Sequence, residues 1–415
     1  MDGISNNESS LTFTEIQSTG AVDVDDQYSE VTNYHVAESN TSKKGRRETE
    51  DRLNILPKRV ILLILSFLDT KMAVLTCFFV LSKQWRYLWR ELPTLRFDSA
   101  SFKQYSSFKR FVLGLLSGRD TSKDLCKFSL TNSKNDICYG NGNDDDDFLL
   151  QLFVNLVAYG KGLRNLTFCA RVDSSTLWSV YPVLFTWKSL TTLRLDHVVF
   201  PKNMTFDCPS LKGLFLVGCT LERDDREDHH HYDLFRGCPE LETLWIYNCQ
   251  FWRDVKSFVI SAPKLENFTV VHVYDGHSFD RDFNLTITSA NLKSFTYEGR
   301  TFYDISFTCP DSIEDLSVGV GTERFTYGMR DLMNMFKIFQ QLSKAKVVTL
   351  THDIINVSYP RVPGFPRLPS PFTELRFLKI RTTTGPPPHI EDYLISRSPN
   401  AEVTMIHDEV KQIDP

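Results

Sequence analysis

One short pattern constrains the fold of this chain more than any other feature. The stretch from Leu211 to Leu221 fits the template L-x-x-L-x-L-x-x-C-x-L at every fixed position. The pattern returns from Leu241 to Phe251, and it occurs again from Leu190 to Phe200 with Val198 in place of the cysteine. Such a unit cannot bury its apolar side alone, so it needs similar units stacked against it. The pattern predicts an α/β solenoid.

The strand half of the pattern extends over most of the chain. Strand starts are predicted at Leu92, Leu125, Leu163, Leu190, Leu211, Leu241, Leu265, Leu292, Ile313, Ala345 and Leu375. Their spacing is irregular, which indicates that the outer connections vary while the strands stay stacked. Apolar residues at helical spacing predict outer helices around Phe108–Leu116 and Leu149–Leu156. Residues 92–415 are therefore predicted to form a curved solenoid with a parallel sheet on its concave face and degenerate C-terminal units.

Composition excludes several classes of protein. The chain has 41% hydrophobic and 13% aromatic residues, enough for a sizeable core, and a net charge of -5 gives no electrostatic footprint for nucleic acid. No apolar run reaches membrane-spanning length, and the polar start lacks the features of a signal peptide. We expect an intracellular protein of the nucleus or cytoplasm, with neither nucleic acid nor membrane as a partner.

The first part of the chain is polar. Residues 1–48 are rich in Ser, Thr, Asn, Asp and Glu and have no sustained hydrophobic period, so a disordered tail is predicted. The cluster Lys43–Arg47 closes this tail. It is either a nuclear-import signal or a solvated basic run.

Residues 49–91 have the pattern of short helices. Val60, Ile61, Ile64, Leu65 and Leu68 follow Pro57 at helical spacing. A second helix is predicted over Met72–Ser82, and a third carries Trp85, Leu88 and Trp89. Because three short helices make only a small core, much of this apolar surface should be met by a partner.

These helices resemble a known family. Leu56-Pro57, Ile64-Leu-Ser-Phe-Leu68, Leu81-Ser-Lys83 and Trp85-Arg-Tyr-Leu-Trp89 together look like the F-box of plant F-box/leucine-rich-repeat proteins. The resemblance covers Asp51 onward, without a clear full FBD module at the C-terminal end. It implies a non-catalytic substrate receptor of an SCF-type cullin–RING ubiquitin ligase, whose repeats bind a target protein. The resemblance also implies that a Skp-type adaptor docks on Leu56, Pro57, Val60, Ile64, Leu65, Leu68, Trp85 and Trp89.

One departure from the family pattern matters. The family usually runs Thr-Cys directly into Val-Leu-Ser-Lys, whereas Phe78 and Phe79 intervene here. Two extra residues in a continuing helix would rotate everything after them by about 200°. Either the insertion bulges at the helix end, or adaptor docking is weakened and the chain is a ligase-independent leucine-rich-repeat scaffold or regulator. A further alternative is that the helices merely cap the solenoid.

Target binding is predicted on the sheet. Apolar residues of each strand point into the core, so their neighbours form columns on the concave face, one from Thr167 to Lys379 and one from Cys169 to Arg381. Aromatic anchors inside a polar rim are typical of recognition hot spots. The predicted target-binding residues are Arg194, Asp196, Phe215, Val217, Trp245 and Tyr247. Alternatively, a terminal segment covers this patch, or the register slips by one and the aromatic residues are core.

Motifs for catalysis or metal binding are weak. The run Asp144–Asp147 lacks the alternating ligands of a calcium loop, and the tract Glu222–His231 is either a metal site or a solvated loop. We find no phosphate-binding Gly-rich loop, no H-E-x-x-H and no G-x-S-x-G. We therefore expect no catalytic residue, no metal and no cofactor. A hydrolase with a metal at the histidine tract is a third alternative. Cys219 and Cys249 recur at the same position of the repeat, so we interpret them as repeat residues rather than disulfide partners.

Overall fold

The computed structural model of the chain describes most of the predicted repeat region and most of the predicted helical region. It describes residues 56–81, 83–132, 143–159, 161–172, 185–200, 204–221, 232–251, 257–272, 274–275, 284–299, 303–320, 329–351, 354, 369–381 and 393–406. The predicted tail 1–48, the cluster Lys43–Arg47 and the tract Glu222–His231 lie outside these residues. All described elements belong to one compact unit that begins at Leu53.

Short strands recur along the whole described chain. They are β1 (Thr94–Asp98), β2 (Lys127–Thr131), β3 (Asn165–Val172), β4 (Thr192–Phe200), β5 (Gly213–Val217), β6 (Thr220–Leu221), β7 (Tyr232–Asp233), β8 (Thr243–Tyr247), β9 (Gln250–Phe251), β10 (Ser257–Ser261), β11 (Asn267–Val271), β12 (Tyr274–Asp275), β13 (Asn284–Thr288), β14 (Ser294–Gly299), β15 (Asp304–Phe307), β16 (Asp315–Val320), β17 (Val347–Thr351), β18 (Phe377–Arg381) and β19 (Glu402–Ile406).

The strands form one large parallel sheet and a smaller one. The main sheet has the order β1-β2-β3-β4-β5-β8-β11-β14-β16-β17-β18-β19, with the short strands β6, β9 and β12 joined to it. A second parallel sheet has the order β15-β13-β10-β7. Neighbours in the main sheet are also successive repeats along the chain, which is the arrangement expected of an α/β repeat solenoid. The predicted strands are confirmed. The last strand, β19, follows the predicted start at Leu375 and lies among the predicted degenerate C-terminal units.

The main sheet owes its register to apolar residues that are buried at alternate positions in most of its strands. Leu214 and Leu216 of β5 are fully buried, and so is Leu244 of β8. Phe215 lies opposite Trp245 in the register of these two strands, as the repeat template predicts. Each fully buried leucine contributes about 1.5–3 kcal/mol relative to an exposed one. A slip by one residue would expose this whole set, so the slipped register is excluded.

The cysteine of the repeat template bonds back to the preceding repeat. The Cys219 thiol donates to the Leu195 carbonyl oxygen at 3.2 Å, and the Cys249 thiol donates to the Leu216 carbonyl oxygen at 3.4 Å. Burial holds the pKa of Cys219 well above its ordinary value, so the thiol keeps the proton it donates. Every described cysteine is a free thiol. The template cysteines therefore stabilise the stack through packing and weak hydrogen bonds.

Two cysteines with the same local sequence but different burial can test how burial affects thiol reactivity. Cys208 and Cys309 each precede a proline, but Cys208 is fully buried and Cys309 is exposed. Burial raises the pKa of Cys208 to about 12. Because the thiolate is the nucleophile, we expect iodoacetamide at pH 8 to label Cys309 at least tenfold faster than Cys208 in the native chain. Peptide mass spectrometry measures both rates. Equal labelling in the native chain would contradict the burial, and denaturant should equalise the two.

Five helices are described beside the sheets. They are α1 (Lys58–Ser66), α2 (Thr70–Phe79), α3 (Tyr105–Gly118), α4 (Asn143–Tyr159) and α5 (Met329–Gln341). The predicted outer helices are confirmed as α3 and α4, because Phe108 and Val112 of α3 and Leu152 and Leu156 of α4 are fully buried.

Helix α4 begins at Asn143, so the aspartate run lies at its start, where a helix N-terminus favours negative charge. One sequence prediction about the helices is wrong in detail. The predicted third helix is two short 3₁₀ turns, Lys83–Trp85 and Leu88–Glu91, because a bend at Arg86 and Tyr87 separates them.

A buried arginine joins the helices to the first repeats. Nη2 of Arg119 donates to the carbonyl oxygens of Leu92 and Asp124, each at 2.9 Å, and Nη1 donates to that of Lys123 at 2.8 Å. The guanidinium also lies 4.9 Å from the ring centre of Tyr159. Desolvation lowers the pKa of Arg119, but backbone carbonyls on three sides and the ring face stabilise the cation. One side chain therefore connects α3, the segment before β1, the loop before β2, and α4.

Removing this side chain should destabilise the whole unit. We expect Arg119→Met to lower the free energy of unfolding by about 3 kcal/mol, because hydrogen bonds from a charged donor are lost and buried carbonyls are left without partners. Urea unfolding measures the change. Arg164→Met is the matched control, because Arg164 is exposed, and it should stay within about 0.5 kcal/mol of the parent chain. A similarly small effect of Arg119→Met would contradict the role given to it.

Candidate functional site

Helix α1 presents a row of apolar side chains to solvent. Val60, Leu63, Ile64 and Phe67 are exposed, and they lie three, four and seven residues apart along the helix and its end. On the opposite side, Ile61 and Leu65 of the helix are buried in the core. A helix that is apolar on its outer side as well as its inner side is typical of a partner-binding surface. We call Val60, Leu63, Ile64 and Phe67 the α1 stripe.

The structure separates the predicted adaptor-binding residues into three groups. Pro57, Val60, Ile64 and Leu68 are exposed, and Leu56 and Trp85 are half-buried. Leu65 is only 2% exposed and Trp89 only 8% exposed, so these two side chains do not face outward.

The two buried residues have clear physical reasons for their placement. Leu65 follows Ile61 by four residues and therefore lies on the same, inner side of α1. Trp89 packs against the end of α3, where a Cβ on Gly118 would come within 3.0 Å of its ring. The sequence analysis missed Leu63 and Phe67, although their spacing from Val60 and Ile64 places all four on one helix side.

The two inserted phenylalanines lie at the end of α2. The N–H groups of Val80 and Leu81 both donate to the Thr76 carbonyl oxygen at 3.0 Å, so the second bond spans five residues and widens the last turn. Phe78 packs against the core with Arg86 over its ring at 5.0 Å, whereas Phe79 is 66% exposed. The insertion is therefore absorbed by a bulge at the helix end, the first of the two outcomes left open by the sequence. Its effect on docking stays a prediction.

On the main sheet, aromatic side chains of neighbouring strands come together. Phe215 of β5 and Trp245 of β8 are half-buried, with ring centres 5.9 Å apart and ring planes at 56°. The Phe215 ring lies over Gly213, since a Cβ there would come within 3.1 Å of its Cε2 atom. A glycine inside a strand commonly permits such a close approach.

A second pair of side chains continues this surface. Val217 of β5 lies opposite Tyr247 of β8 in the register, and both are half-buried. The Tyr247 ring centre lies 6.2 Å from that of His272, and His272 has a left-handed backbone with φ of 49°. We call Phe215, Val217, Trp245 and Tyr247 the aromatic patch. The sequence predicted these four as neighbours, and the structure brings them together.

The predicted polar rim of the patch is an ion pair. Arg194 of β4 contacts Asp196 with its Nε at 3.1 Å from Oδ1 and its Nη2 at 3.2 Å from Oδ2. Asp196 is only 8% exposed. Burial raises the pKa of the neighbouring Cys169 thiol to about 12, and the Asp196 carboxylate adds to that shift. The register places Arg194 beside Phe215 and Asp196 beside Val217. The rim therefore consists of two charged side chains whose opposite charges cancel.

A double-mutant cycle should measure this pair. Arg194→Met, Asp196→Asn and the double variant should give a coupling free energy of about 1–2 kcal/mol in urea unfolding, because both groups are largely removed from water. Screening by salt is weak for such a pair, so 0.5 M NaCl should change the coupling little. A coupling below about 0.3 kcal/mol would be that of an ordinary surface pair and would contradict the geometry.

A second charged group lies toward the C-terminal end of the sheet face. Arg381 of β18 approaches Glu298 of β14 at 3.8 Å. The two side chains meet across β16 and β17, and a Cβ on Gly319 of β16 would come within 2.9 Å of the Glu298 Cγ atom. Desolvation raises the pKa of Asp315, and the nearby Lys379 ammonium opposes that shift. Arg381 and Lys379 therefore each lie near a carboxylate.

The described residues lack the features of a metal site and of a membrane span. No three His, Cys, Asp or Glu side chains of the described residues lie together in a way that could hold a metal ion. The described helices include none with the length and apolarity needed to cross a membrane. The tract His229–His231 lies outside the described residues, and so do the side chains of Asp144 to Asp146.

Comparison with known proteins bears on the helical and repeat segments together. No family model matches the chain. An FBD-associated F-box protein of Arabidopsis thaliana is 29% identical over 64% of this chain, and an F-box/FBD/LRR-repeat protein of the same plant is 28% identical over 86% of it. The chain is a relative of the plant F-box/LRR-repeat proteins.

The similarity to these F-box/LRR-repeat relatives covers them unequally. The alignments span 59% of the FBD-associated protein and 75% of the F-box/FBD/LRR-repeat protein. An F-box/LRR-repeat protein of Arabidopsis thaliana is 27% identical over 62% of this chain and 78% of its own length. Within this chain, the α1 stripe lies in the segment that resembles an F-box, and the aromatic patch lies on the repeat strands.

Proposed function

We propose that the chain is the substrate-recognition subunit of an SCF-type cullin–RING ubiquitin ligase. In this proposal residues 49–91 are an F-box that docks on a Skp-type adaptor, and residues 92–415 are a curved leucine-rich-repeat domain whose concave face binds the target protein. The observation that carries the proposal is the α1 stripe, because large apolar side chains exposed in a row become stable when a partner covers them. Each contributes about 1.5–3 kcal/mol when fully buried.

The proposed mechanism needs no catalytic group on this chain. The α1 stripe holds the chain on the ligase while the sheet face holds the target. Both attachments raise the effective concentration of the target near a ubiquitin-charged enzyme. The fixed stack of repeats supports this role, because it keeps the two surfaces on one compact unit. The proposed place of action is the nucleus or the cytoplasm, where cullin–RING ligases assemble.

The bulge at the end of α2 favours a second candidate function. Phe79 and Val80 are exposed there, and they enlarge the apolar surface beside the F-box-like helices. If that enlarged surface obstructs a Skp-type adaptor, the chain acts as a ligase-independent leucine-rich-repeat scaffold or regulator. Adaptor binding discriminates the two functions.

A charge placed on the α1 stripe should abolish adaptor docking. We expect Ile64→Glu to weaken binding to a purified Skp-type adaptor at least about 100-fold, because a carboxylate would lose its water in an apolar interface. Isothermal titration calorimetry measures the affinity. Val154→Glu is the matched control, since Val154 is an exposed valine on α4, and it should bind like the parent chain. Equal weakening by both variants would contradict docking through α1.

A variant that lacks Phe78 and Phe79 distinguishes the receptor function from the scaffold function. If the parent chain binds the adaptor and Ile64→Glu does not, the receptor function stands whatever the deletion does. If the parent chain fails to bind and the deletion variant binds, the insertion uncouples the chain from the ligase. Circular dichroism of each variant should match the parent chain, so that loss of folding is distinguished from loss of docking.

A further inference from the structure

The charges on the face of the main sheet that carries the aromatic patch are compensated within the protein. Three cations and three carboxylates are described on this face from β3 to β18. They lie in the two columns of side chains predicted from Thr167 to Lys379 and from Cys169 to Arg381, and at Asp315. They are Arg194 with Asp196, Arg381 with Glu298, and Lys379 near Asp315. Arg194 directs both Nε and Nη2 to one carboxylate, which is the fork that would otherwise receive a phosphate. An anionic ligand would have to displace a carboxylate that is itself largely buried.

Other cations of the sheet lie farther away. Arg96 of β1 and Lys127 of β2 are exposed. Lys127 is three strands from β5, which is about 14 Å at a strand spacing of about 4.7–4.9 Å. A phosphate bound there would not contact the aromatic patch.

The patch instead offers apolar area and two hydrogen-bonding groups. Among the described residues, neither the Trp245 Nε1–H nor the Tyr247 hydroxyl has a hydrogen-bond partner. Both side chains are half-buried, so each group lies next to apolar ring surface. A ligand that covers the rings must therefore supply hydrogen-bond acceptors for these groups, or it leaves polar groups buried and unpaired. Peptide carbonyl oxygens are such acceptors.

We propose that the target is recognised through an unmodified, uncharged peptide segment. One large apolar side chain of that segment packs on the Phe215 and Trp245 rings, and main-chain carbonyls accept from Trp245 Nε1 and the Tyr247 hydroxyl. No phosphate or acidic group takes part. The inference rests on the proposed function, in which the sheet face binds the target, and it specifies the chemistry of that target.

A peptide array on the full chain tests this inference. The probes are twelve-residue peptides of one Ala/Ser/Gly background with a central Phe, Trp, Leu, Glu, Lys or phosphoserine. We expect Phe-centred or Trp-centred peptides to bind at least tenfold more tightly than Glu-centred or phosphoserine-centred ones. Raising NaCl from 50 to 500 mM should change the affinity less than twofold, because the interface contains no net charge pairing.

Variants of the chain assign the binding to the patch. Trp245→Ala should weaken the binding of the Phe-centred peptide at least tenfold, and Trp245→Phe should weaken it about fivefold, because the indole N–H and part of the ring area are lost while an aromatic ring remains. Phe377→Ala is the matched control, because Phe377 is an exposed aromatic residue on β18 of the same sheet, and it should have no effect. Thermal unfolding of each variant checks the fold.

The outcomes are distinguishable from failure of the proposed function. Preference for phosphoserine or Glu, strong salt dependence, or equal weakening by Phe377→Ala would overturn the inference. Absence of binding to every peptide would also overturn it, because recognition would then not rest on a linear uncharged segment. Adaptor binding through α1 is measured separately, so docking on the adaptor can be confirmed while the peptide inference is contradicted. If instead the peptides bind and the adaptor does not, the chain is a peptide-binding scaffold.

Discussion

Parallel stacking of identical apolar positions is the constraint on which the rest of this structure depends. Most strands of the main sheet bury their alternate residues, such as Leu214 and Leu216, against the strands on either side. No single repeat could bury them alone, because a strand with its short connections has too little apolar area. The register that buries the leucines also fixes which residues lie on the opposite side. The aromatic patch and its neutral rim are therefore a consequence of how the core is packed.

The two candidate surfaces differ in how they are held. The aromatic patch lies on strands whose neighbours on both sides are in register, so Phe215 and Trp245 have little freedom to rearrange. The α1 stripe lies on a short helix with few buried residues, and Arg119 connects the adjoining region to the first repeats. A rigid face for one partner and a small apolar helix for another would suit a protein that links two others. The ligase role proposed for the chain needs both.

Sequence reasoning reached the strand register, because a period of two residues and a repeated template leave only one arrangement that buries Leu214 and Leu244 together. It therefore also predicted that the four residues of the aromatic patch lie together beside Arg194, while their role in target binding stays a prediction. It did not predict that Leu65 and Trp89 are buried, because helical spacing alone does not say which side of α1 meets the core or how the turn that carries Trp89 packs. It could not anticipate Arg119 or the approach of Arg381 to Glu298, since both depend on segments far apart in the chain that packing brings together.

Hydroxyl-radical footprinting of the full chain, alone and with a Skp-type adaptor, tests the central claim that adaptor and target use separate surfaces. The account predicts that the adaptor protects Leu63, Ile64 and Phe67 from oxidation at least threefold, while Trp245 and Tyr247 stay as reactive as in the free chain. Protection of Trp245 and Tyr247 by the adaptor, or unchanged oxidation of the α1 stripe in a complex that forms, would contradict it.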